Sequence, residues 1–199
     1  MTIRETREGI NSMWIRVALA GALTLIAVGP ICAQPSYDYR LLATSKTSTL
    51  EKEMNEAADA GFRFSFVMGG ETALGGSQGV AVFTKTGQAG RYSYKLLATS
   101  KTSTMQKEMQ EAADGGFEYR GQTIFSSTFG GQEVVCIMER DKEVTGRSSD
   151  YKLLATTKTS TLEKELREAG AAGYELMGMT VAKTAIGGKE LVAIMRKAR

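Results

Sequence analysis

The stretch LLATSKTSTLEKEMNEAADAG at residues 41–61 occurs three times in this chain. It returns as LLATSKTSTMQKEMQEAADGG at residues 96–116 and as LLATTKTSTLEKELREAGAAG at residues 153–173. The first two copies share 17 of 21 residues and the last two share 13, so each copy belongs to a repeated folding unit. We therefore predict three tandem units, at 34–88, 89–145 and 146–199.

Each unit is predicted to begin with a strand and continue into a helix. Aromatic and branched residues alternate with polar ones at 37–44, 92–99 and 150–156, as in a half-buried strand. Residues spaced at i, i+4, i+7 and i+8 then form an apolar helical stripe, which in the first unit is Leu50, Met54, Ala57 and Ala58. The polar residues off this stripe are expected to face solvent, and they include Glu51, Lys52, Asn55 and Glu56.

Both ends of each helix carry a sequence signal. A serine three residues before Glu or Gln predicts a capping box at the helix start. The pairs are Ser48 with Glu51, Ser103 with Gln106, and Ser160 with Glu163. Gly61, Gly116 and Gly173 stand where a glycine with left-handed backbone ends a helix. The helix is thus predicted to run for about twelve residues, roughly 18 Å.

Two further strands close each unit. In the first unit they are predicted at 62–68 and 79–84, joined by a turn at Gly75-Gly76, with Gly130-Gly131 and Gly187-Gly188 as its equivalents. The fold class is therefore α+β, with a three-stranded sheet and one helix on one face of it. The strand at 133–139 carries apolar side chains on both faces, and a fifty-residue unit alone buries only about 60% of its chain surface. We therefore expect the sheets of different units to pack together or to join edges, and self-association is expected if one unit stays unpaired.

The third unit resembles a family of small bacterial β-α-β-β domains of unknown function. The matching residues are Tyr151-Lys152 at the start, Gly173-Tyr174-Glu175-Leu176 after the helix, and Met195-Arg196 at the end. The first unit departs from this pattern, because Arg63-Phe64 replaces the Glu-Leu pair and Phe83-Thr84 replaces the closing Met-Arg. The resemblance implies a fold and no activity.

Residues 1–33 are predicted to be a secretory signal peptide. An apolar run at 17–28 follows Arg16, and Ile31-Cys32-Ala33 places a small residue before Gln34. The alternative is an uncleaved membrane anchor, but the run of about twelve residues is shorter than the roughly 20 that span a bilayer. The sequence thus predicts an exported protein, periplasmic or secreted, with no stable membrane insertion after cleavage.

Composition removes several classes of function. The chain has 25 Lys and Arg against 22 Asp and Glu, a balance that does not favour nucleic acid as a partner. It has no histidine, so histidine-based triads and most zinc sites are excluded. Beyond the predicted leader one cysteine is left, Cys136, within an apolar strand. We interpret it as a core thiol, with an intermolecular disulfide as the alternative.

The segment between the first strand and the helix, A-T-[ST]-K-T-S-T, is the candidate contact site. A helix start offers free N–H groups and partial positive charge, which suit phosphate, sulfate or carboxylate. A purely structural strand-to-helix turn is the alternative interpretation. The candidate residues are the same triplet in each unit: Lys46, Thr47 and Ser48; Lys101, Thr102 and Ser103; Lys158, Thr159 and Ser160.

Other chemistry finds little support in the sequence. Glu53 and Glu56, with their equivalents, are three residues apart on a helix, but the interleaved lysines favour surface ion pairs over acid–base catalysis. Methionines such as Met177 lie within predicted strands, which favours core packing over copper binding. No cofactor and no metal site is therefore predicted.

The three copies match closely through the loop and helix and differ after the glycine that ends the helix. The leading hypothesis is an exported non-enzymatic binding or structural module that contacts a partner protein through the Lys-Thr-Ser loops. The alternatives are a small-anion or ligand binder at the helix starts, and an enzyme of unknown type.

Overall fold

Each repeat folds in the order strand, helix, strand, strand in the computed structural model. The structure describes residues 36–71, 77–99, 101–126, 132–146, 148–183 and 189–199. The predicted leader and the Gly-Gly turns lie outside the described residues.

Unit 1 comprises β1 (Tyr39–Thr44), α1 (Thr47–Asp59), β2 (Phe62–Glu71) and β3 (Ser77–Lys85). Unit 2 comprises β4 (Tyr92–Thr99), α2 (Thr102–Asp114), β5 (Glu118–Ser126) and β6 (Gln132–Asp141). Unit 3 comprises β7 (Ser149–Thr156), α3 (Thr159–Ala171), β8 (Glu175–Lys183) and β9 (Lys189–Ala198).

The last strand of each unit lies in the middle of its sheet. The three sheets have the orders β1-β3-β2, β4-β6-β5 and β7-β9-β8, and all pairs are antiparallel. The register is the same in each unit, since Leu41 faces Val82 as Leu96 faces Ile137 and Leu153 faces Ile194. The second strand is irregular at one position, which holds Ser65 in β2, Arg120 in β5 and Met177 in β8. The predicted α+β class with three-stranded sheets is confirmed.

The glycine stops are confirmed, but the predicted capping boxes are wrong. Gly61, Gly116 and Gly173 have φ of +83°, +81° and +87°, a conformation that glycine adopts without strain. Each helix instead begins one residue before the predicted serine, and no side chain caps its first turn. Glu51 and Gln106 do not reach back to their own helix start, because they bind the next unit.

The apolar stripe is buried as predicted. Leu50, Met54, Ala57 and Ala58 are fully buried. They form one core with Tyr92, Tyr94 and Ile137, which belong to unit 2. A second core joins α2 and β6 to Tyr151, Leu153, Val192 and Ile194 of unit 3. The third core contains residues of unit 3 alone.

The units are therefore stacked, with a helix between successive sheets. α1 packs on its own sheet and on β4, and α2 packs on its own sheet and on β7. Strand β2 also packs directly on β5. The preceding unit covers the second sheet face of units 2 and 3, as expected, whereas that face of unit 1 stays exposed. The sheets pack without joining edges.

Polar side chains of α1 and α2 attach each of these helices to the edge strand of the next unit. Asn55 forms two hydrogen bonds of 3.0 Å, one to the carbonyl and one from the N–H of Tyr94, and Glu51 accepts the N–H of Leu96 at 2.8 Å. In the second junction Gln110 accepts the N–H of Tyr151 at 3.1 Å. Gln106 accepts the N–H of Leu153 at 3.1 Å. The expectation that Glu51 and Asn55 face solvent was wrong, because these side chains pair backbone groups of an edge strand that has no further strand beside it.

Candidate functional site

The three predicted contact loops lie at the starts of the three helices. Lys46, Lys101 and Lys158 immediately precede α1, α2 and α3, each with extended backbone. The N–H of each lysine donates to the hydroxyl of the threonine two residues earlier, at 3.1 to 3.3 Å. This short turn redirects the chain from strand to helix and leaves the lysine side chain exposed.

The neighbouring hydroxyl residues are also accessible. The serines Ser48, Ser103 and Ser160 are exposed, as is Thr159, while Thr47 and Thr102 are half-buried. Because both junctions use the same contacts, the loops follow one another along the stack on equivalent positions. They do not meet in a single pocket.

Ser103, a predicted site residue, lines a groove. Ser103 lies beside Gln106, Lys107, Gln110 and Tyr151 around a depression of about 310 Å³ at the junction of units 2 and 3. Gln106 and Gln110 already hold the backbone of β7. Ser103 and Lys107 are exposed polar residues that line the groove, and Lys107 also pairs with Glu111 at 3.7 Å.

Sequence reasoning missed a buried ionic cluster between units 1 and 2. Glu139 of β6 is 2% exposed, and its carboxylate accepts hydrogen bonds from Arg63, Arg120 and the hydroxyl of Tyr94. The shortest distances are 2.8 Å from Arg63, 2.7 Å from Arg120 and 2.8 Å from Tyr94. The sequence contained one sign of this cluster, because Glu139 stands on the same face of β6 as the apolar Ile137.

The carboxylate of Glu139 is already occupied by its three donors, so the cluster is not available for acid–base chemistry. Two guanidinium groups and a phenol surround one carboxylate, and the adjoining cavity has a volume of only about 30 Å³. Burial, followed by the charge of Glu139, raises the pKa of Tyr94, so the phenol stays protonated. The hydrogen bond to Glu139 raises the pKa of Arg63 in turn. The arrangement is suited to fixing the position of unit 1 on unit 2.

Cys136 is a buried core thiol, as predicted. It is fully buried in the second core, and burial raises its pKa to about 12. A thiol that is both buried and protonated is unreactive toward oxidants and other thiols. Its position argues against the alternative of an intermolecular disulfide.

A larger depression lies under the linker between units 2 and 3. It has a volume of about 550 Å³, and its charged lining residues are Asp114, Arg140, Asp141 and Lys142. Two of these side chains are acidic and two are basic. This lining favours neither an anion nor a cation.

Of the repeated acidic residues of the helices, Glu56 and its equivalents form surface ion pairs. Lys52 lies 3.8 Å from Glu56, and the equivalent pairs Lys107–Glu111 and Lys164–Glu168 measure 3.7 and 3.8 Å. These pairs support the prediction of ion pairing over catalysis. They also give a structural reason for the recurrence of Lys52 in all three units.

The strands that follow the helices differ because each meets a different neighbour. Gly121 of unit 2 lies against Phe64 and Val67 of unit 1. At the next junction, Gly178 of unit 3 lies against Tyr119 and Gln122 of unit 2. Contacting side chains must therefore change together from one junction to the next, while the helix keeps the same contacts at both.

Within the described ranges, no group of three or more acidic, cysteine or histidine side chains is placed to hold a metal ion. No helix in the part of the chain that the structure describes is long and apolar enough to cross a membrane. No protein-family model matches the chain, and no curated protein or solved structure matches it either. The features on which a function can be argued are thus the exposed loops, the junctions and the two ends of the stack.

Proposed function

We propose that this protein is an exported non-enzymatic binding or structural module that contacts a partner protein through the three Lys-Thr-Ser loops. The proposal is carried by the repetition of the junction, in which Glu51 and Asn55 bind unit 2 as Gln106 and Gln110 bind unit 3. This repetition presents three similar loops at equivalent positions of one stack. Linked contacts strengthen one another, because each one raises the effective concentration of the next.

The polar groups of the interior support a binding role over catalysis. Glu139 is fully engaged by Arg63, Arg120 and Tyr94, and Cys136 is a protonated core thiol. The lysines of the loops are charged groups that are exposed at the same place in every unit. The resemblance of unit 3 to the small bacterial β-α-β-β domains supports membership of all three units in that family, which we propose on the same footing.

Replacing the three loop lysines by alanine is expected to weaken partner binding at least about a hundredfold, because linked contacts are lost together. The variant is Lys46→Ala, Lys101→Ala and Lys158→Ala in one chain. Its matched control replaces Lys52, Lys107 and Lys164, which are also exposed, recur in every unit and lie six residues further along the chain, within the same helices.

The measurement is the affinity of each variant for partners captured from a periplasmic extract, with circular dichroism to confirm that both variants fold. Surface ion pairs are worth about 0.2–1 kcal/mol, so the control should stay folded and should bind normally. Equal binding by the loop variant and the control would place the contact surface elsewhere.

Small-anion binding at the helix starts is the second candidate. It is favoured by the finding that no side chain caps the first turn of α1, α2 or α3, which leaves backbone N–H groups for another acceptor. Millimolar phosphate or sulfate should then raise the melting temperature of the wild-type protein but not of the loop variant. If the anions leave the melting temperature of the wild type unchanged, this candidate is removed.

Export is supported by the signal-peptide pattern of residues 1–33. We expect the protein expressed from its full coding sequence to begin at Gln34 after processing. Intact mass and N-terminal sequencing measure this directly. Recovery of a membrane fraction whose chain still contains Trp14 would instead indicate the uncleaved anchor.

A further inference from the structure

The exposed large apolar side chains of the described residues all lie at the two ends of the stack. Four belong to the outer face of the sheet of unit 1, and Tyr37, just before β1, stacks on one of them; these five are 61 to 75% exposed: Tyr37, Tyr39, Leu41, Phe66 and Met68. We call this set the N-terminal end face. Three belong to β8 and are 44 to 49% exposed: Leu176, Met179 and Val181. Together with the outward side of α3, they form the C-terminal end face.

The N-terminal end face is equivalent to the faces that units 2 and 3 bury. Tyr39 occupies in unit 1 the place of Tyr94 and Tyr151, according to the shared register. Those two tyrosines are 3% and 4% exposed because the preceding unit covers them, whereas Tyr39 is 61% exposed. Leu41 likewise stands at the place of Leu96, which packs in the first core.

The C-terminal end face is equivalent to the faces with which units 1 and 2 cover their successors. Leu176 stands where Phe64 and Tyr119 stand, and Met179 stands where Val67 stands. Phe64 and Val67 contact Gly121 of the next unit, and Tyr119 contacts Gly178. In unit 3 these positions are exposed, and so is the outer side of α3, where Glu163 and Arg167 pair with each other at 2.6 Å.

We propose that a second copy of this chain docks with its C-terminal end face on the N-terminal end face of the first, which continues the stack across molecules. This contact would continue the two internal junctions, since each end presents the positions that form one half of such a junction. Exposed apolar groups of this extent mark interaction surfaces on soluble proteins. The contact does not depend on the loop lysines.

Backbone contacts define the register of this intermolecular junction. In both internal junctions a tyrosine hydroxyl accepts a backbone N–H of the preceding unit, from Phe64 to Tyr94 at 2.9 Å and from Tyr119 to Tyr151 at 2.7 Å. The equivalent intermolecular bond runs from the N–H of Leu176 to the hydroxyl of Tyr39. Glu163, at the place of Glu51, is then positioned to accept the N–H of Leu41 when it releases Arg167.

The large and the small side chain of this contact stand at opposite positions in the intermolecular junction and in the internal junctions. Internally, the rings of Phe64 and Tyr119 lie against Gly121 and Gly178, and a Cβ at Gly121 would lie 3.2 Å from the Phe64 ring. At the ends, the glycine position holds Phe66 and the ring position holds Leu176. In the internal junctions an aromatic ring packs on a glycine, whereas between two copies Leu176 would pack on the ring of Phe66. The side-chain volume is then divided differently between the two sides, and the contact stays apolar.

The test measures the mass of the protein by light scattering and sedimentation over a range of concentrations up to the millimolar. Phe66→Glu places a charge on the N-terminal end face, and Leu176→Glu places one on the C-terminal end face. Both positions are exposed, so both variants should fold, which circular dichroism checks. We expect wild-type protein to associate with increasing concentration and each variant alone to be at least about tenfold weaker in association.

Mixing the two variants distinguishes the head-to-tail contact from other symmetries. Each variant keeps one intact end, so an equimolar mixture should form a complex of two chains and no larger species. A symmetric contact between two N-terminal end faces would leave Leu176→Glu dimeric by itself and would give no mixed complex. That result overturns the proposal, as does a wild type that stays monomeric throughout.

Two further arms refine the test. Leu176→Tyr should weaken association by opposing Phe66, and adding Phe66→Gly in the same chain should restore it, because the pair then matches the internal junctions. All three cores lie within residues 36–199. If the chain that begins at Gln34 is monomeric as well as the 199-residue chain, the second copy is excluded as the occupant of the face.

Discussion

Replacing Glu139 by alanine is expected to lower the free energy of unfolding by about 3–5 kcal/mol. The substitution leaves two guanidinium groups and the Tyr94 hydroxyl facing a site from which their acceptor is gone. The side chains of Arg63 and Arg120 are 34% and 35% exposed, so water relieves part of this cost and the lower end of the range is expected. Urea unfolding monitored by circular dichroism measures the change.

Glu175→Ala is the matched control. Glu175 also pairs with an arginine across a sheet, at 3.2 Å from Arg196, but its side chain is 70% exposed. A pair exposed to this degree should contribute at most about 1 kcal/mol. Equal losses in the two variants would show that the Glu139 cluster does not stabilise the junction.

A third variant separates the charge effect from packing. Replacing Arg63, Arg120 and Glu139 together by methionine removes the buried charge with all its partners. Apolar replacement of a whole buried ion cluster is commonly neutral or stabilising, so this variant should exceed Glu139→Ala in stability. The comparison also tests whether the cluster specifies the position of unit 1 on unit 2, since loss of charge could leave stability intact while the junction becomes less uniquely defined.

Gly69→Ala is expected to cost about 1–3 kcal/mol, as overpacking of a close contact. A Cβ on Gly69 would overlap the carbonyl oxygen of Ile124 and would lie 2.7 Å from the hydroxyl of Thr123. The neighbour is backbone, so relief requires β2 and β5 to separate and opens the junction between units 1 and 2. Chemical unfolding is again the measurement.

The adjacent residue provides the control for this substitution. Gly70 is in the same strand, and a Cβ there would meet no other atom within 4 Å. Gly70→Ala should therefore change stability by no more than about 0.5 kcal/mol, as surface substitutions usually do. If Gly69→Ala is equally harmless, β2 and β5 do not approach each other as closely as the structure indicates.

The substitutions Glu139→Ala and Gly69→Ala act on the same interface and can be combined in one chain. Glu139 and Gly69 both act at the junction of units 1 and 2, one through charge and one through backbone proximity. Substitutions that share a packed interface commonly fail to add. A double variant that loses less than the sum of the single losses would show that either change alone already loosens the junction.

Local patterns account for what was predicted correctly. The strand alternation, the stripe of Leu50 and Met54, and the glycine at Gly61 depend on neighbours within a few residues, and all three are present in the structure. The expected burial of the second sheet face follows from the same alternation in β6. These features need no knowledge of the partner element, because a strand or helix shows from its own sequence which side is apolar.

The expectations that were wrong concern polar side chains that can form either of two hydrogen bonds, one within their own helix and one to the next unit. A serine followed by Glu51 fits a capping box, yet the carboxylate binds the N–H of Leu96, 45 residues away. Asn55 is polar and was expected in solvent, yet its amide pairs with the backbone of Tyr94. Local capping and edge-strand pairing satisfy the same hydrogen-bonding groups, and the position of unit 2 determines which one forms.

The sequence by itself determined the period of the chain, the order of elements in each unit and the need for a cover on every sheet. Only the tertiary structure decided that the cover is the helix and the sheet of the preceding unit, that Arg63 meets Glu139 across 76 residues, and that the ends stay uncovered. The physical reason is that periodicity records which face is apolar but not which surface will meet it. That choice depends on contacts between distant residues, whose shapes and charges are fixed only once the units are stacked.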